Sequence, residues 1–211
     1  MFHVKHFREL SFFVAFIKSL VYNNTCHYNS RLRTRSGPEG SSLKNNLLCV
    51  VVFLLSDGEK CMEDIKWMKE AYKQAKKAEM IDEVPIGAII VKEGKIISRA
   101  YNTRENTQNV IKHAEIIAIE KACKKLGTWR LDDCELYVTL EPCVMCTGAI
   151  MHARIKRVVY GAKEKRWLAL SSLLSQSDIN AFNHHLEYTE GVMQEECSSI
   201  ITQYFRNKRK K

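Results

Sequence analysis

The chain has 211 residues, of which 45% are hydrophobic and 27% are charged, a balance typical of globular proteins. Its eight cysteines are unevenly spaced in a chain too long for a small disulfide scaffold, so a reducing compartment such as the cytoplasm is expected. The formal net charge is +9, and residues 206–211 are nearly all Lys or Arg. Charge alone does not decide whether this end binds phosphates or is simply solvated.

Residues 1–61 differ in character from the rest of the chain. Their apolar runs, residues 10–17 and 47–55, are shorter than the roughly 18 residues that span a bilayer, so no membrane association is expected. The basic start resembles a signal peptide, but no small-residue cleavage site follows it. We expect a low-complexity, disordered extension, with residues 30–46 as loop.

The extension has two explanations. We hypothesise that translation begins at Met62, because an amphipathic helix starts immediately after it. The alternative is a genuine but poorly ordered segment. The intact mass of the native protein distinguishes the two, since the whole chain weighs 24.4 kDa.

The hydrophobic pattern of residues 62–211 predicts strands interleaved with helices, and therefore a layered α/β fold. The apolar stripe predicted for the fourth element is Ile116, Ile119, Cys123 and Leu126, which assigns Cys123 to the core. The predicted elements, in chain order, are a helix over 63–79, hairpin strands over 84–91 and 95–100, a helix containing His113 in its first turn, a strand over 135–140, a helix with Pro142 as its first residue, a strand over 157–161, a helix over 171–176, an edge strand over 185–189 and a helix over 193–207, with residues 101–111 as a loop.

Two short motifs carry the side chains suited to chemistry. His113 and Glu115 stand two residues apart, and Cys143 and Cys146 stand three residues apart, each pair opening a predicted helix. One imidazole and two thiolates suit zinc, and a three-ligand site leaves the fourth place for water, as catalytic zinc requires. A helix N-terminus favours the thiolate form that the metal needs.

Glu115 is the predicted proton shuttle, since it lies two residues from ligand His113 without having to bind the metal. Water activated by zinc would attack an amine-bearing carbon, and Glu115 would move its proton toward the departing ammonia. This chemistry is a hydrolytic deamination. The alternative is a structural zinc site with a fourth ligand such as His152.

The two motifs together match the H-x-E and P-C-x-x-C signature of the zinc-dependent nucleobase deaminases. The resemblance extends to roughly residues 62–211 and includes none of residues 1–61. It is closest to the bacterial tRNA-specific adenosine deaminases, in the stretches 84–88, 113–116, 129–131, 136–146 and 204–206.

This resemblance implies a three-layer cytidine-deaminase-like α/β fold, with a mixed five-stranded sheet flanked by helices. It implies one zinc ion per subunit, bound by His113, Cys143 and Cys146, with Glu115 as the catalytic residue. The implied reaction converts adenosine to inosine at the wobble position of a tRNA anticodon, typically of an arginine tRNA. The implied assembly is a homodimer with RNA touching both subunits.

The same resemblance implies which residues contact the substrate. Asn102 and Ala114 correspond to residues around the target nucleoside. Tyr204, Phe205 and Arg206 correspond to a C-terminal helix that contacts the anticodon stem-loop. Aromatic and basic side chains suit this partner, because proteins read RNA loops by stacking splayed bases and holding phosphates.

Residues 163–172 depart from the family pattern. Where the family usually has Asp and a glycine-rich turn, this chain has Lys163-Glu164-Lys165-Arg166-Trp167 followed by larger side chains. Two other functions stay open on sequence grounds. A free nucleobase or nucleoside deaminase, of guanine or cytosine type, needs no basic tail. A non-catalytic RNA-binding module needs no proton shuttle, and Glu115 argues against it.

Overall fold

The computed structural model describes residues 43–166, 168–176 and 183–210. The chain divides into two compact units, Met1–Glu63 and Asp64–Lys211. The predictions for residues 1–42 lie outside the described residues. In the part of the chain that the structure describes, no helix is both long and apolar enough to cross a membrane. The elements, in chain order, are α1 (Leu43–Met80), β1 (Gly87–Lys92), β2 (Lys95–Tyr101), α2 (Arg104–Thr107), α3 (Ala114–Leu126), β3 (Cys134–Leu140), α4 (Val144–His152), β4 (Arg157–Ala162), α5 (Leu170–Gln176), β5 (Glu187–Thr189) and α6 (Gln194–Lys208).

Among the described residues, five strands form one mixed sheet in the order β2-β1-β3-β4-β5. Strand β1 is antiparallel to β2 and β3, whereas β3, β4 and β5 run parallel. Parallel neighbours need long crossover connections, and α4 joins β3 to β4 while α5 lies between β4 and β5. The predicted mixed five-stranded sheet, with its last strand at the edge, is confirmed.

The sheet has helices on both faces because both of its faces are apolar. Val138 and Val158 point to one face and belong to a core cluster with Ala118 of α3 and Ile150 of α4. The opposite face packs against residues 64–80 of α1 and against α6. The three-layer α/β architecture is therefore as expected from the sequence.

The predicted hairpin is confirmed, and its turn has a simple cause. Glu93 and Gly94 connect β1 to β2, and both have positive φ angles, 49° and 66°. Two such residues in succession form the type I′ turn, whose twist matches that of paired strands.

Helix α1 begins twenty residues before the predicted start at residue 63. No proline occurs between Pro38 and Pro85 to end a helix, and Gly58 is the only glycine inside it. A single internal glycine costs a helix only about 1 kcal/mol. The last four residues of the predicted loop over 30–46 therefore lie in α1.

The stripe predicted for α3 lies beside its most buried face, and Ile119, Cys123 and Leu126 of that stripe pack against the core. The buried face consists of Ala114, Ala118 and Ala122, together with Glu115. The predicted residues, Ile116, Ile119, Cys123 and Leu126, are only partly buried. Small side chains let α3 approach β1 and β2 closely, so the larger residues pack around the edge of the core.

Candidate active site

The two motifs lie at the starts of α3 and α4, with His113 and Cys143 each one residue outside the helix. His113 is the N-cap of α3 and Cys143 is the N-cap of α4, both with extended backbones at ψ angles of 153° and 174°. Their carbonyl groups accept the first helical hydrogen bonds. The sequence predicts His113 in the first turn of its helix and Pro142 as the first residue of the next. In the structure these helices begin one residue after His113 and two residues after Pro142.

This placement brings the three predicted metal ligands together. His113 Nδ1 lies 3.8 Å from Cys143 Sγ and 3.6 Å from Cys146 Sγ. The ligand atoms of all three residues lie within 4.8 Å of one another. Helix geometry explains the pair of thiols, because the N-cap and the third helical residue point the same way.

The spacing of these ligand atoms fits a tetrahedral zinc ion. Zinc–sulfur bonds of about 2.3 Å and zinc–nitrogen bonds of about 2.0–2.1 Å place adjacent S and N ligands roughly 3.6 Å apart. The observed His113–Cys distances of 3.6 and 3.8 Å are close to that value. A donor set of two sulfurs and one imidazole nitrogen also suits zinc better than magnesium or calcium. Two thiolates and one histidine leave a fourth position for water.

The electrostatics of the ligands agree with metal binding. A hydrogen bond from Cys146 lowers the pKa of the Cys143 thiol to about 4, against the opposing effect of burial, and His113 lowers it further. The same shared proton raises the pKa of Cys146. The hydrogen bond with Cys143 likewise raises the pKa of His113. The lowered pKa of Cys143 favours the thiolate form that a metal ion needs.

Glu115 lies in the first turn of α3 with only 4% of its surface exposed. Its Oε2 is the only buried side-chain nitrogen or oxygen without a hydrogen-bond partner in the described part of the chain. Burial raises the pKa of this carboxyl group, and His113 partly offsets the rise. A buried polar atom without a partner is unusual in a native structure and marks a group reserved for a ligand or for chemistry.

A cavity of about 730 Å³ opens beside these residues. Its wall includes His113, Glu115 and Cys143 as well as Asn102, whose side chain is almost completely buried. The amide nitrogen of Asn102 donates a 2.9 Å hydrogen bond to Glu83 Oε2. A cavity of this size, lined by both apolar and polar side chains, is large enough for a small molecule or a nucleoside.

The structure brings two of the three C-terminal candidates to the same cavity. Tyr204 and Phe205 of α6 line it, and the Tyr204 hydroxyl donates a 2.8 Å hydrogen bond to the carbonyl of Asp82. Arg206 is exposed and does not line the cavity. Ala114 is fully buried in the core cluster at the start of α3.

Two buried acids near the cavity, Glu83 and Glu141, were not identified from the sequence. Glu83 is completely buried beside Asn102. Glu141, which is 3% exposed, accepts hydrogen bonds from the backbone N–H groups of Glu164 and Ser171 at 3.1 and 2.9 Å. No local pattern marks either residue, because the partners that bury them are distant in sequence.

Glu141 fixes the position of residues 163–172, the stretch that departs from the family pattern. Its two oxygens hold both ends of this stretch, and Ala169 pairs with Cys143. Arg166 from the same stretch lines the cavity and lies 5.4 Å from the ring centroid of Phe205. The segment therefore forms part of the cavity wall despite its unusual sequence.

The alternative fourth ligand does not join the site. His152 is the last residue of α4 and is exposed. The metal-binding group found among the described residues contains His113, Cys143 and Cys146. Cys123 also lies apart from it, with its thiol 3.7 Å from the carbonyl of Trp129. A four-ligand structural site built on His152 is not supported.

The fold and site define a deaminase domain. The profile of the MafB19-like deaminases matches residues 62–209. The fold also resembles the guanine deaminase of Nitrosomonas europaea, at 21% identity and a TM-score of 0.59, over 66% of this chain and 83% of that one. At that identity the likeness concerns the fold alone.

More similar relatives narrow the class. The chain is 49% identical over 149 residues to the tRNA-specific adenosine deaminase of Bacillus subtilis (strain 168), covering 71% of this chain and 92% of the relative. A structure from a study of A-to-I editing by tRNA:A34 deaminases at the wobble position of transfer RNA has a TM-score of 0.60 and 38% identity, over 64% of this chain and 98% of that one. The chain belongs to the MafB19-like deaminases and, among them, to the tRNA-specific adenosine deaminases.

Proposed function

We propose that this protein converts adenosine to inosine at the wobble position of a tRNA anticodon, by zinc-dependent hydrolysis. The observation that carries the proposal is the buried carboxyl group of Glu115, whose Oε2 has no hydrogen-bond partner, set beside three candidate metal ligands at the wall of a cavity. That arrangement places a proton carrier next to the position where a bound metal would hold water.

The roles of the residues follow from their positions. His113, Cys143 and Cys146 would hold zinc, which supplies Lewis-acid activation of water. Glu115 takes the proton released as water adds to the amine-bearing carbon, and delivers a proton to the purine ring nitrogen. It then takes the proton of the added hydroxyl group and delivers it to the amine, which leaves as ammonia, so the carboxyl group ends in its starting state. Its elevated pKa suits this exchange, because a carrier must gain and lose a proton with similar ease.

The choice of tRNA over a free base rests on the surroundings of the site. Tyr204, Phe205 and the basic residues after them lie on α6 beside the cavity, where an RNA loop entering it would meet them. Asn102 and Ala114 would adjoin the target nucleoside, and Arg206 would contact RNA outside the cavity. An arginine tRNA, a homodimeric assembly and a cytoplasmic location belong to the same proposal. Relatives named as tRNA-specific deaminases support it.

The domain organisation is part of the proposal as well. Residues 62–211 would form the deaminase domain, and residues 1–61 would form an extension that takes no part in catalysis. The profile match over residues 62–209 supports this division.

Direct assay of the purified full chain tests the function. The chain is incubated with an arginine tRNA that carries A at the wobble position, and separately with guanine, cytosine and adenosine. We expect inosine at the wobble position and no ammonia from the free compounds. Ammonia from the free compounds alone would overturn the tRNA assignment in favour of a nucleobase or nucleoside deaminase.

Two variants separate catalysis from RNA binding. Glu115→Ala should keep its zinc, measured by elemental analysis, and lose turnover, because the proton carrier is gone while the ligands stay. Loss of zinc in this variant would make Glu115 a ligand instead. Truncation after Tyr204 should weaken activity on tRNA, since it removes Phe205 and the basic tail. Full activity of the truncated chain on tRNA would contradict the proposed RNA contact.

A further inference from the structure

A second carboxyl group lies behind the cavity wall, and the proposed reaction gives it no role. Glu83 lies in the segment between α1 and β1 and is 0% exposed. Both of its oxygens accept hydrogen bonds from N–H groups. Oε2 accepts one from Asn102 Nδ2 at 2.9 Å, and Oε1 accepts two, from Asn106 N at 2.6 Å and Asn106 Nδ2 at 3.0 Å.

The contact with Asn102 fixes the orientation of a side-chain amide at the cavity. A carboxamide has a donor end and an acceptor end, which a rotation of 180° exchanges. The oxygen of Glu83 accepts, so it selects the orientation in which Nδ2 faces it and repels the one in which Oδ1 does. Oδ1 and the second Nδ2 hydrogen then have defined places for a ligand.

The hydrogen bonds with Asn106 connect Glu83 to α2. Asn106 is the third residue of α2, and the N-cap of that helix, Thr103, makes no side-chain hydrogen bond to it. Glu83 occupies the acceptor position that a capping side chain would take. One buried carboxyl group thereby joins three neighbouring parts of the cavity wall: the segment after α1, the end of β2 and α2.

We propose that Glu83 is a positioning residue of the deaminase site, which holds the amide of Asn102 in the one orientation that matches the bound nucleoside. This inference rests on the proposed function, since it assigns to Asn102 a contact with that substrate. Glu83 itself touches no reacting atom. It acts through Asn102 alone.

The variant Glu83→Gln tests the proposal because its effect on the amide follows from the geometry. Asn106 provides two donors at Oε1, so the glutamine oxygen stays there and the new NH₂ group faces Asn102. Two facing donors repel, and Asn102 turns by 180° to present Oδ1. Each hydrogen bond keeps a donor and an acceptor, so the fold is retained. The amide of Asn102, however, then presents its donor and its acceptor to the substrate in exchanged positions.

We expect Glu83→Gln to lower kcat/KM on the wobble-adenosine tRNA by about tenfold to a hundredfold, the usual effect of one mismatched buried polar group. Zinc content should be unchanged and Tm nearly so. The matched control is Glu79→Gln, which removes the same charge from an exposed position on α1, and should keep the wild-type kcat/KM.

A double-mutant cycle separates positioning from a merely structural role. In an Asn102→Ala background, Glu83→Gln should cause no further loss of kcat/KM, because there is no amide left to orient. An equal loss in both backgrounds, or wild-type activity of Glu83→Gln alone, would overturn the proposal. Wild-type protein that is inactive on the tRNA would overturn the proposed function instead.

A second variant measures the contact without any activity assay, and covers the case in which Glu83→Gln fails to fold. Asn102→Asp places a carboxylate against Glu83, whereas Asn102→Ala only removes the amide. We expect Asn102→Asp to have the lower Tm of the two at pH 7.5, because like charges then face each other in a buried place. Equal Tm values would show that Glu83 does not face residue 102.

Discussion

Replacement of Arg157 by alanine should strongly destabilise the catalytic domain. The Arg157 guanidinium is 4% exposed on its side chain and makes two hydrogen bonds to Asp64, at 2.8 and 2.6 Å. It also lies 3.4 Å from Glu135 and donates a 2.7 Å hydrogen bond to Thr189 on the edge strand. Without it, the buried carboxylate of Asp64 keeps only the hydroxyl of Tyr137, at 2.9 Å, among these partners.

The size of the expected loss of stability follows from the burial of the Arg157–Asp64 ion pair. Removing one member of a buried ion pair leaves an uncompensated charge and typically costs about 3–5 kcal/mol. For a domain of about 150 residues, each kcal/mol lowers Tm by roughly 2–4 °C, so Arg157→Ala should lower Tm by about 6–20 °C. Replacing both partners, as Asp64→Leu with Arg157→Met, should recover much of that loss, because no buried charge is left without a partner.

Calorimetry or urea unfolding of the full chain measures the effect. The matched control is Arg130→Ala, which removes a similar two-bond contact with Asp132 in an exposed position. Water replaces an exposed partner, so the control should leave the unfolding midpoint nearly unchanged. If both alanine variants shift the midpoint equally, burial is not what gives the Arg157 pair its strength, and the reasoning fails.

Three further predictions concern packing and the metal ligands. Gly87→Ala should prevent accumulation of folded protein on expression, because its Cβ would overlap the backbone oxygen of Ala71, whereas Gly148→Ala, with open space around its Cβ, should fold. Cys143→Ser should reduce bound zinc well below one ion per chain by elemental analysis, whereas Cys123→Ser should not; equal zinc in the two variants would exclude Cys143 as a ligand. In chelator-treated protein at pH 6, iodoacetamide should modify Cys143 before Cys197. The hydrogen bond with Cys146 lowers the pKa of Cys143 to about 4, whereas burial raises the pKa of Cys197 to about 12. Peptide mass spectrometry measures the order of modification, and the reverse order would contradict this.

The sequence predicted which residues come together at the candidate metal site because their chemistry and their local spacing carry the information together. His113, Cys143 and Cys146 each stand within three residues of another motif residue, and two helix starts bring the motifs to one place. The order of the strands and of the longer helices was equally accessible, since hydrophobic periodicity is a local property, whereas the short helix α2 lies within residues 101–111, for which we predicted a loop.

Features that depend on distant partners were not accessible in that way. In the sequence, Glu83 resembles an ordinary surface acid. Its partners in the fold, Asn102 and Asn106, lie some twenty residues away along the chain. The most buried face of α3 differs from the predicted stripe, because hydrophobic periodicity favours the larger residues, which pack at the edge of the core. Its alanines are buried instead, since the distance between helix and sheet, which one sequence does not reveal, leaves room only for small side chains.

The unpartnered oxygen of Glu115 has a consequence for engineering this protein. A buried polar atom without a partner typically costs about 1–3 kcal/mol of folding stability, so replacement of this residue should stabilise the metal-free fold. A selection that rewards heat resistance or expression yield alone should therefore favour the loss of Glu115, and with it the loss of the proton carrier that we propose. Directed evolution of this scaffold needs residue 115 held fixed, or a selection that scores turnover in every round.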